Sequence, residues 1–327
     1  MKISGFTIVR NAIQYDFPIV ACILSALPLV DEFIVLIGDS DDETEILVSN
    51  IKSDKIKIIC SDWNTSKYNK GGAVYAHQTD VALNACTGDW CLYLQADEVL
   101  HEKDIPLIKK ACAHYKEDNR VEGFLFNYIH FYGWYNHYID ALHFAYPKEI
   151  RMVRNSKDIH SWKDAQSFRF IPDFDYEDYY QKKGTRKLNC IDLNAFIYHY
   201  GWCRDPRKMV KKIAEQHSMH SGNKHEVVEE YFDYGNLSPM PVFKGTHPQT
   251  MKERIEIADW KGLLRYTGAN SEVLKKKKFG LKYRVINFIE NKILGGKLIA
   301  GFKNYHLIGR YGFRTKDPVN NKDNAYS

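Results

Sequence analysis

The chain has 327 residues, 44% hydrophobic and 27% charged, enough apolar material for one large core or two, which excludes a disordered chain. No apolar run approaches the roughly 20 residues of a spanning helix. The opening MKISGFTIVRN is too polar for a signal peptide, and seven cysteines without a C-x-x-C pair point to reduced thiols in a cytosolic compartment rather than a disulfide frame. The net charge of +5 hides an asymmetry: residues 275–314 hold eleven Lys or Arg against Glu290, a net +10, which leaves residues 1–274 at −5.

The first hundred residues alternate strand and helix patterns. ISGFTIV (3–9) reads as a strand, 17–27 as an apolar helix, and EFIVLIG (32–38) as a strand ending on Gly. DSDDETEILVSNIKS reads as a helix opened by cap residues and acids. KIKIIC (55–60) is a third strand, 71–86 a helix, and DWCLYLQ (89–95) a fourth strand. Such alternation predicts βαβ units and a parallel, doubly wound sheet, whose ligands bind beyond the carboxyl ends of the strands. That rule puts Arg10, Asp39, Asp62 and Asp97 along one rim. Further on, 105–115 reads as a helix, 121–135 as one long aromatic strand, and 149–155 and 188–202 as strands spaced too irregularly for βαβ units. They predict an antiparallel extension forming an acceptor wall. Residues 205–220 and 248–266 read as helices, the first opened by Asp205 and Pro206. The 22 tyrosines suit stacking on sugars or bases, and equally a Tyr-rich core.

The rim residues suit a nucleotide-activated donor. Asp39 could accept a hydrogen bond from a base or ribose edge. Asp97 could ligate a divalent ion, Mn²⁺ or Mg²⁺, that bridges diphosphate oxygens, with His199 as a further ligand. Arg10 and Asn11 are loop residues within reach of a nucleotide. Lys70, with Gly71 and Gly72, could approach a diphosphate, though a helix N-terminus explains the glycines equally well. Plainer roles stand beside these. Asp39, Asp97 and Glu98 could cap helices, His199 could be a core histidine, and His217 and His220 read as surface residues.

The order of four segments resembles a family 2 glycosyltransferase of the GT-A fold. These are GFTIVRNAIQYDFPIVACILSAL, EFIVLIGDSDDET, NKGGAVYAHQTDVALNACTGDWCLYLQADEVL and EIRMVRNSKDIHSWKDAQSF, with IYHYGWCRDP following. The resemblance covers residues 1–205 well and 206–265 loosely. It implies a mixed, mostly parallel Rossmann-like α/β sheet flanked by helices, with a helical C-terminal extension. Within it, 1–104 is the nucleotide-sugar half, 105–205 the acceptor half, 206–274 a helical extension and 275–327 a basic amphipathic tail.

By the same resemblance, Asp39 matches the base-binding acid, Asp97 the second Asp of the D-x-D motif, His199 the histidine that completes the metal site, and Asp164 the catalytic base of an inverting transfer. A surface ion pair is an equal reading of Asp164, given Lys163 and Arg169 nearby. The first Asp of the motif is Gln95, a neutral group that can hydrogen-bond a ribose or phosphate; Glu98 is a candidate to compensate for the missing charge. The implied activity moves a sugar from a nucleoside diphosphate sugar to a hydroxyl of a glycan or lipid-linked acceptor, in the synthesis of a polysaccharide, lipopolysaccharide or other glycan. Nucleic acid is not an expected partner. The stretch 275–314 is expected to touch the inner face of an anionic membrane, or to cap the catalytic domain. Because of Gln95, a catalytically degenerate protein that binds carbohydrate or nucleotide is the second reading. A nucleotidyltransferase is a third, and VRNAIQYD lacks the glycine-rich loop it would want.

Overall fold

The computed structural model describes residues 1–63, 66–68, 71–141, 143–271, 274–275, 281–290 and 303–313. Lys70 and most of the basic tail lie outside them. Strands β1 (Ile3–Val9), β2 (Glu32–Gly38), β3 (Ile56–Ser61) and β4 (Trp90–Tyr93) alternate with helices α1 (Ile19–Ala26), α2 (Thr44–Ser49) and α3 (Ala73–Asn84). The four strands pair in parallel in the order β3-β2-β1-β4. Side chains alternate between two cores. Val9, Phe33, Val35, Trp90 and Leu92 pack on the α1 side. Phe6, Ile34, Leu36, Cys91 and Tyr93 pack on the α3 side. Burial on both faces is why these strands read as unbroken apolar runs. Each such side chain contributes roughly 1.5–3 kcal/mol.

The second half comprises β5 (Glu98–Leu100), α4 (Ile105–His114), β6 (Gly123–Tyr132), β7 (Trp134–Ile139), β8 (Lys148–Arg154), β9 (Ile159–Trp162), β10 (Ser167–Phe170) and β11 (Arg186–Trp202). Strand β8 runs antiparallel between β4 and β6. β6 is parallel to β11, and β10 and β9 extend that edge antiparallel. The result is a mixed α/β sheet of the GT-A, Rossmann-like kind, with α5 (Pro206–Ser221), α6 (Lys252–Glu256), α7 (Leu281–Phe288) and β12 (Tyr305–Tyr311) completing the described chain. Helix α5 starts as expected: the Asp205 carboxylate accepts from the Arg207 amide at 2.8 Å, with Pro206 in the first turn.

Three expectations change. The single strand over 121–135 is a hairpin of β6 and β7. It turns at Gly133, whose φ of +69° suits glycine, and a Cβ there would lie 2.7 Å from Leu237. The helix over 248–266 breaks into α6 and two short 3₁₀ turns, because Met251 and Trp260 are both drawn into the core beneath β11. Within the basic stretch, β12 pairs in parallel with β11, so an amphipathic surface segment does not extend through residues 305–311. No helix among the described residues is long and apolar enough to cross a membrane.

Candidate active site

A cavity of about 360 Å³ opens beyond the carboxyl ends of β1 and β4. Its walls are Arg10 after β1, Gln95–Asp97 after β4, Asp164–Gln166 between β9 and β10, His199 and Trp202 on β11, and one face of α5. The cavity thus lies at the carboxyl ends of the strands, though neither Asp39 nor Asp62 lines it.

Asp97 sits on the floor, 6% exposed, in a turn that follows β4. Its backbone carbonyl accepts from the Tyr200 amide at 2.8 Å, which ties the turn to β11. One carboxylate oxygen, Oδ2, lies 3.2 Å from Arg204 Nη2 and 3.8 Å from Lys212 Nζ. The other, Oδ1, lies 3.6 Å from His199 Nε2. Burial works against this carboxylate, and the field of His199, Lys212 and Arg204 more than offsets it, so its pKa falls below the usual range. Burial, followed by the Arg204 charge, pushes Lys212 down to about 7.

The hydrogen-bond chain behind His199 fixes its tautomer. Burial pushes His199 down to about 4 and His130 down to about 3, so both rings are neutral at pH 7. His130 Nε2 is 2.7 Å from the Tyr146 carbonyl, which can only accept, so the His130 proton sits on Nε2. His130 Nδ1 must then accept from His199 Nδ1 at 2.8 Å. That leaves His199 Nε2 as a bare lone pair facing Asp97 Oδ1. Two electron-rich atoms face one another with no proton between them, an arrangement that suits a cation. The residues present thus fit a divalent ion. They supply two ligands, since the described residues contain no cluster of three or more His, Cys, Asp or Glu. Mg²⁺ and Mn²⁺ commonly take one or two protein ligands and complete their shell with phosphate oxygens.

Glu98 does not compensate for Gln95. It is fully buried, held by Arg151 Nε at 2.7 Å and Nη2 at 2.9 Å, and takes a hydrogen bond from Tyr128 at 2.7 Å. Gln95 itself lines the cavity.

At the mouth, Arg10 donates to the Asp39 carbonyl at 2.9 Å and pairs with Glu215 at 2.9 Å. Asp39 stands half-exposed on the rim, outside the cavity lining, with Oδ1 3.4 Å from the Trp63 amide. Trp63 lines the cavity and lies on Gly38, where a Cβ would clash with the indole ring. Asn11 is buried, and its side chain is spent joining two loops: Nδ2 donates to Asp41 Oδ2 at 3.2 Å and Oδ1 accepts from the Asp41 amide at 2.6 Å. It is scaffold for the rim rather than a free nucleotide contact. The Gly72 amide is also spent, donating to the Met219 carbonyl at 3.2 Å, so it is not offered to a diphosphate.

Asp164 lies in the cavity wall, 3.4 Å from His220 Nε2. The structure thus brings Arg10, Gln95, Asp97, Asp164 and His199 to one cavity, with Asp39 at its edge. Sequence reasoning missed Arg204, His130 and the α5 residues Lys212, Glu215, Gln216 and His220. The α5 set recurs at helical spacing, a polar stripe on one face, and that period was the available signal. His217 faces elsewhere and packs its ring against His225.

No family model and no curated protein matches the chain. Solved structures do. TarS 1–349 from S. aureus in complex with UDP-GlcNAc is 15% identical over 66% of this chain and 65% of that one, at a TM-score of 0.37. Glucosyl-3-phosphoglycerate synthase from Mycobacterium tuberculosis, in complex with Mn²⁺, UDP and phosphoglyceric acid, is 21% identical over 39% of this chain and 42% of that one, at 0.27. A nucleotidyl transferase from Methanothermobacter is 14% identical over 46% and 70%, at 0.28. The match spans less than two thirds of the length of TarS and of the synthase. At such scores these likenesses fix neither substrate nor mechanism.

Proposed function

We propose that the protein is a glycosyltransferase that moves a sugar from a nucleoside diphosphate sugar to an acceptor hydroxyl with inversion, in the synthesis of a cell-surface or related glycan. One observation carries this reading. A cation-ready pair, Asp97 Oδ1 and the bare Nε2 of His199, shares a single cavity with a second carboxylate, Asp164. Such a cavity can neutralise a leaving diphosphate and deprotonate an acceptor at the same time.

Each residue then has a task. The aromatic wall of Trp63 and Tyr75 suits the base, with Asp39 at its rim. Arg10 and Lys212 draw in the diphosphate. Arg204 pins Asp97 Oδ2 and so leaves Oδ1 for the cation. A divalent ion held by Asp97 and His199 would supply Lewis-acid neutralisation of the leaving phosphate. Asp164 takes the acceptor proton, a role worth about 10²–10⁴-fold in rate. The stretch 275–314 supports a narrower membrane reading: Lys282, Val285 and Phe288 are exposed on α7 and could meet an anionic lipid surface beside a lipid-linked acceptor.

The test is a thermal-shift screen of UDP, GDP, CMP and dTDP sugars with and without Mn²⁺, followed by transfer assays on the donor that binds. A donor at a hundred times its Kd adds about 2.7 kcal/mol. One donor class should stabilise the protein, Mn²⁺ should add to the effect, and Asp97→Asn should abolish the addition. Stabilisation without hydrolysis or transfer in the wild type would favour the degenerate binding protein instead. Transfer insensitive to both Asp97→Asn and chelator would overturn the cation assignment.

A further inference from the structure

The carboxylate of Asp164 has a partner that the transfer reaction does not by itself require. His220 sits in the last turn of α5, where its Nδ1 lies 2.8 Å from the carbonyl of Gln216. A carbonyl only accepts, so Nδ1 carries a proton. Its Nε2 lies 3.4 Å from Asp164 Oδ2, another pure acceptor. A ring that donates to both is an imidazolium, and the Asp164 contact accordingly raises His220 above its usual pKa.

The surrounding backbone is built around this pair. The Gly71 amide donates to the His220 carbonyl at 2.8 Å and the Gly72 amide to the Met219 carbonyl at 3.2 Å, while the Tyr180 hydroxyl donates to the Gly71 carbonyl. A Cβ on Gly72 would lie 3.0 Å from Asp164 Cβ and 3.2 Å from His220 Nε2, at a φ of +76°. Asp164 itself is flanked by Lys163 at φ +63° and Ala165 at φ +60°. Two left-handed non-glycine residues on either side of Asp164 cost on the order of 1–3 kcal/mol each and persist where the fold holds a group in place. The other titratable groups facing the pair are Tyr75 on α3, its ring 6.3 Å from that of His220, Tyr180, and Glu215 on α5. Burial raises both tyrosines, so they stay neutral around pH 7. Glu215 is engaged by Arg10.

We propose that His220 is a positioning residue for the general base. It pins Asp164 Oδ2, so that Oδ1 is presented to the acceptor hydroxyl, and Gly71–Gly72 leave the room that this pair occupies. The proposal rests on the transferase reading with Asp164 as base. In the step itself the acceptor O–H bond breaks and its proton passes to Asp164 Oδ1. The acceptor oxygen bonds the anomeric carbon, and the bond from that carbon to the diphosphate oxygen breaks, its electron pair leaving with the diphosphate. The proton then returns to solvent, which reaches the pair because both side chains are about one third exposed.

Two measurements test it. The first needs no turnover: an NMR titration of the His220 ring in the wild type and in Asp164→Asn. The His220 pKa should fall in the variant, and Gly72→Ala should move it in the same direction. The second is kinetic. His220→Ala should lower kcat by about 10²-fold, the cost of a misplaced reacting group, with donor KM unchanged. His220→Gln, which retains a neutral donor, should restore part of kcat. A His220 titration indifferent to Asp164→Asn overturns the pairing. A His220→Ala enzyme with unchanged kcat, or one altered only in donor KM, overturns the positioning role. If the titration couples as expected but the wild type turns over no donor, the transferase reading fails instead, and the catalytic role falls with it.

Discussion

Replacing Arg151 by Met separates two views of Glu98. If Glu98 were a spare metal ligand, loss of Arg151 would cost little stability. The structure instead makes the two groups a closed unit. Both are fully buried, the guanidinium is bidentate on the carboxylate at 2.7 and 2.9 Å, and it lies between the rings of Tyr93 and Tyr128 at 5.3 and 5.4 Å. Removing one partner of such a pair leaves an uncompensated buried charge, which costs about 3–5 kcal/mol. The hydrogen bonds that remain, from the Tyr128 hydroxyl and from the Gln95 amide at 3.1 Å, each worth about 1.5–3 kcal/mol to a charged acceptor, are already made and cannot increase. Arg151→Met should therefore lower stability by about 3–5 kcal/mol, read as a shift in urea midpoint. The double variant Arg151→Met with Glu98→Gln should recover most of the loss, because an amide is cheaper to bury than a carboxylate. A single-variant loss below about 1 kcal/mol, or a double variant no better than the single, would refute the closed pair.

Other outcomes follow from the same geometry. His130→Phe removes the acceptor that fixes the His199 tautomer, and Mn²⁺ affinity, measured by titration in the presence of nucleotide, should drop by about 10–100-fold. Burial raises Glu149 from its usual value to about 7, so the native state takes up a proton that the unfolded chain lacks between about pH 4.5 and 7. Stability therefore declines across that window and levels off above it. Glu149→Gln should gain on wild type by about 3 kcal/mol at pH 8 and by almost nothing at pH 4. Introducing Asp at both Val285 and Phe288 should reduce flotation with anionic liposomes; equal recovery of variant and wild type would remove α7 as a membrane contact.

What the sequence made legible depended on range. β1, β2 and β4 could be read because both faces of each are buried, and their local runs record it. Asp97 and His199 were legible because each closes or occupies an apolar strand. The hairpin at Gly133 was hidden, since a glycine amid aromatics does not announce a left-handed turn, and the contact with Leu237 that demands it comes from a hundred residues downstream. His130 acts on His199 only through the register of β6 against β11, and Arg204 meets Asp97 from just beyond the end of β11; no local pattern encodes either contact. His220 reads as a surface residue because its partner lies 56 positions away, across the cavity. Strand β12 escaped notice because a basic, half-exposed segment pairing at a sheet edge carries no apolar run.

Strand β11 pairs with β6, β10, β12 and β5, and the floor of the cavity depends on it. Synthesis runs in one direction at roughly 5–20 residues per second, so Asp97 leaves the ribosome about 5–20 s before His199. During that interval the nascent chain displays a carboxylate that has neither its imidazole nor its guanidinium. The cavity is therefore complete only once β11 pairs with β6, a long-range contact that ties its assembly to completion of the sheet.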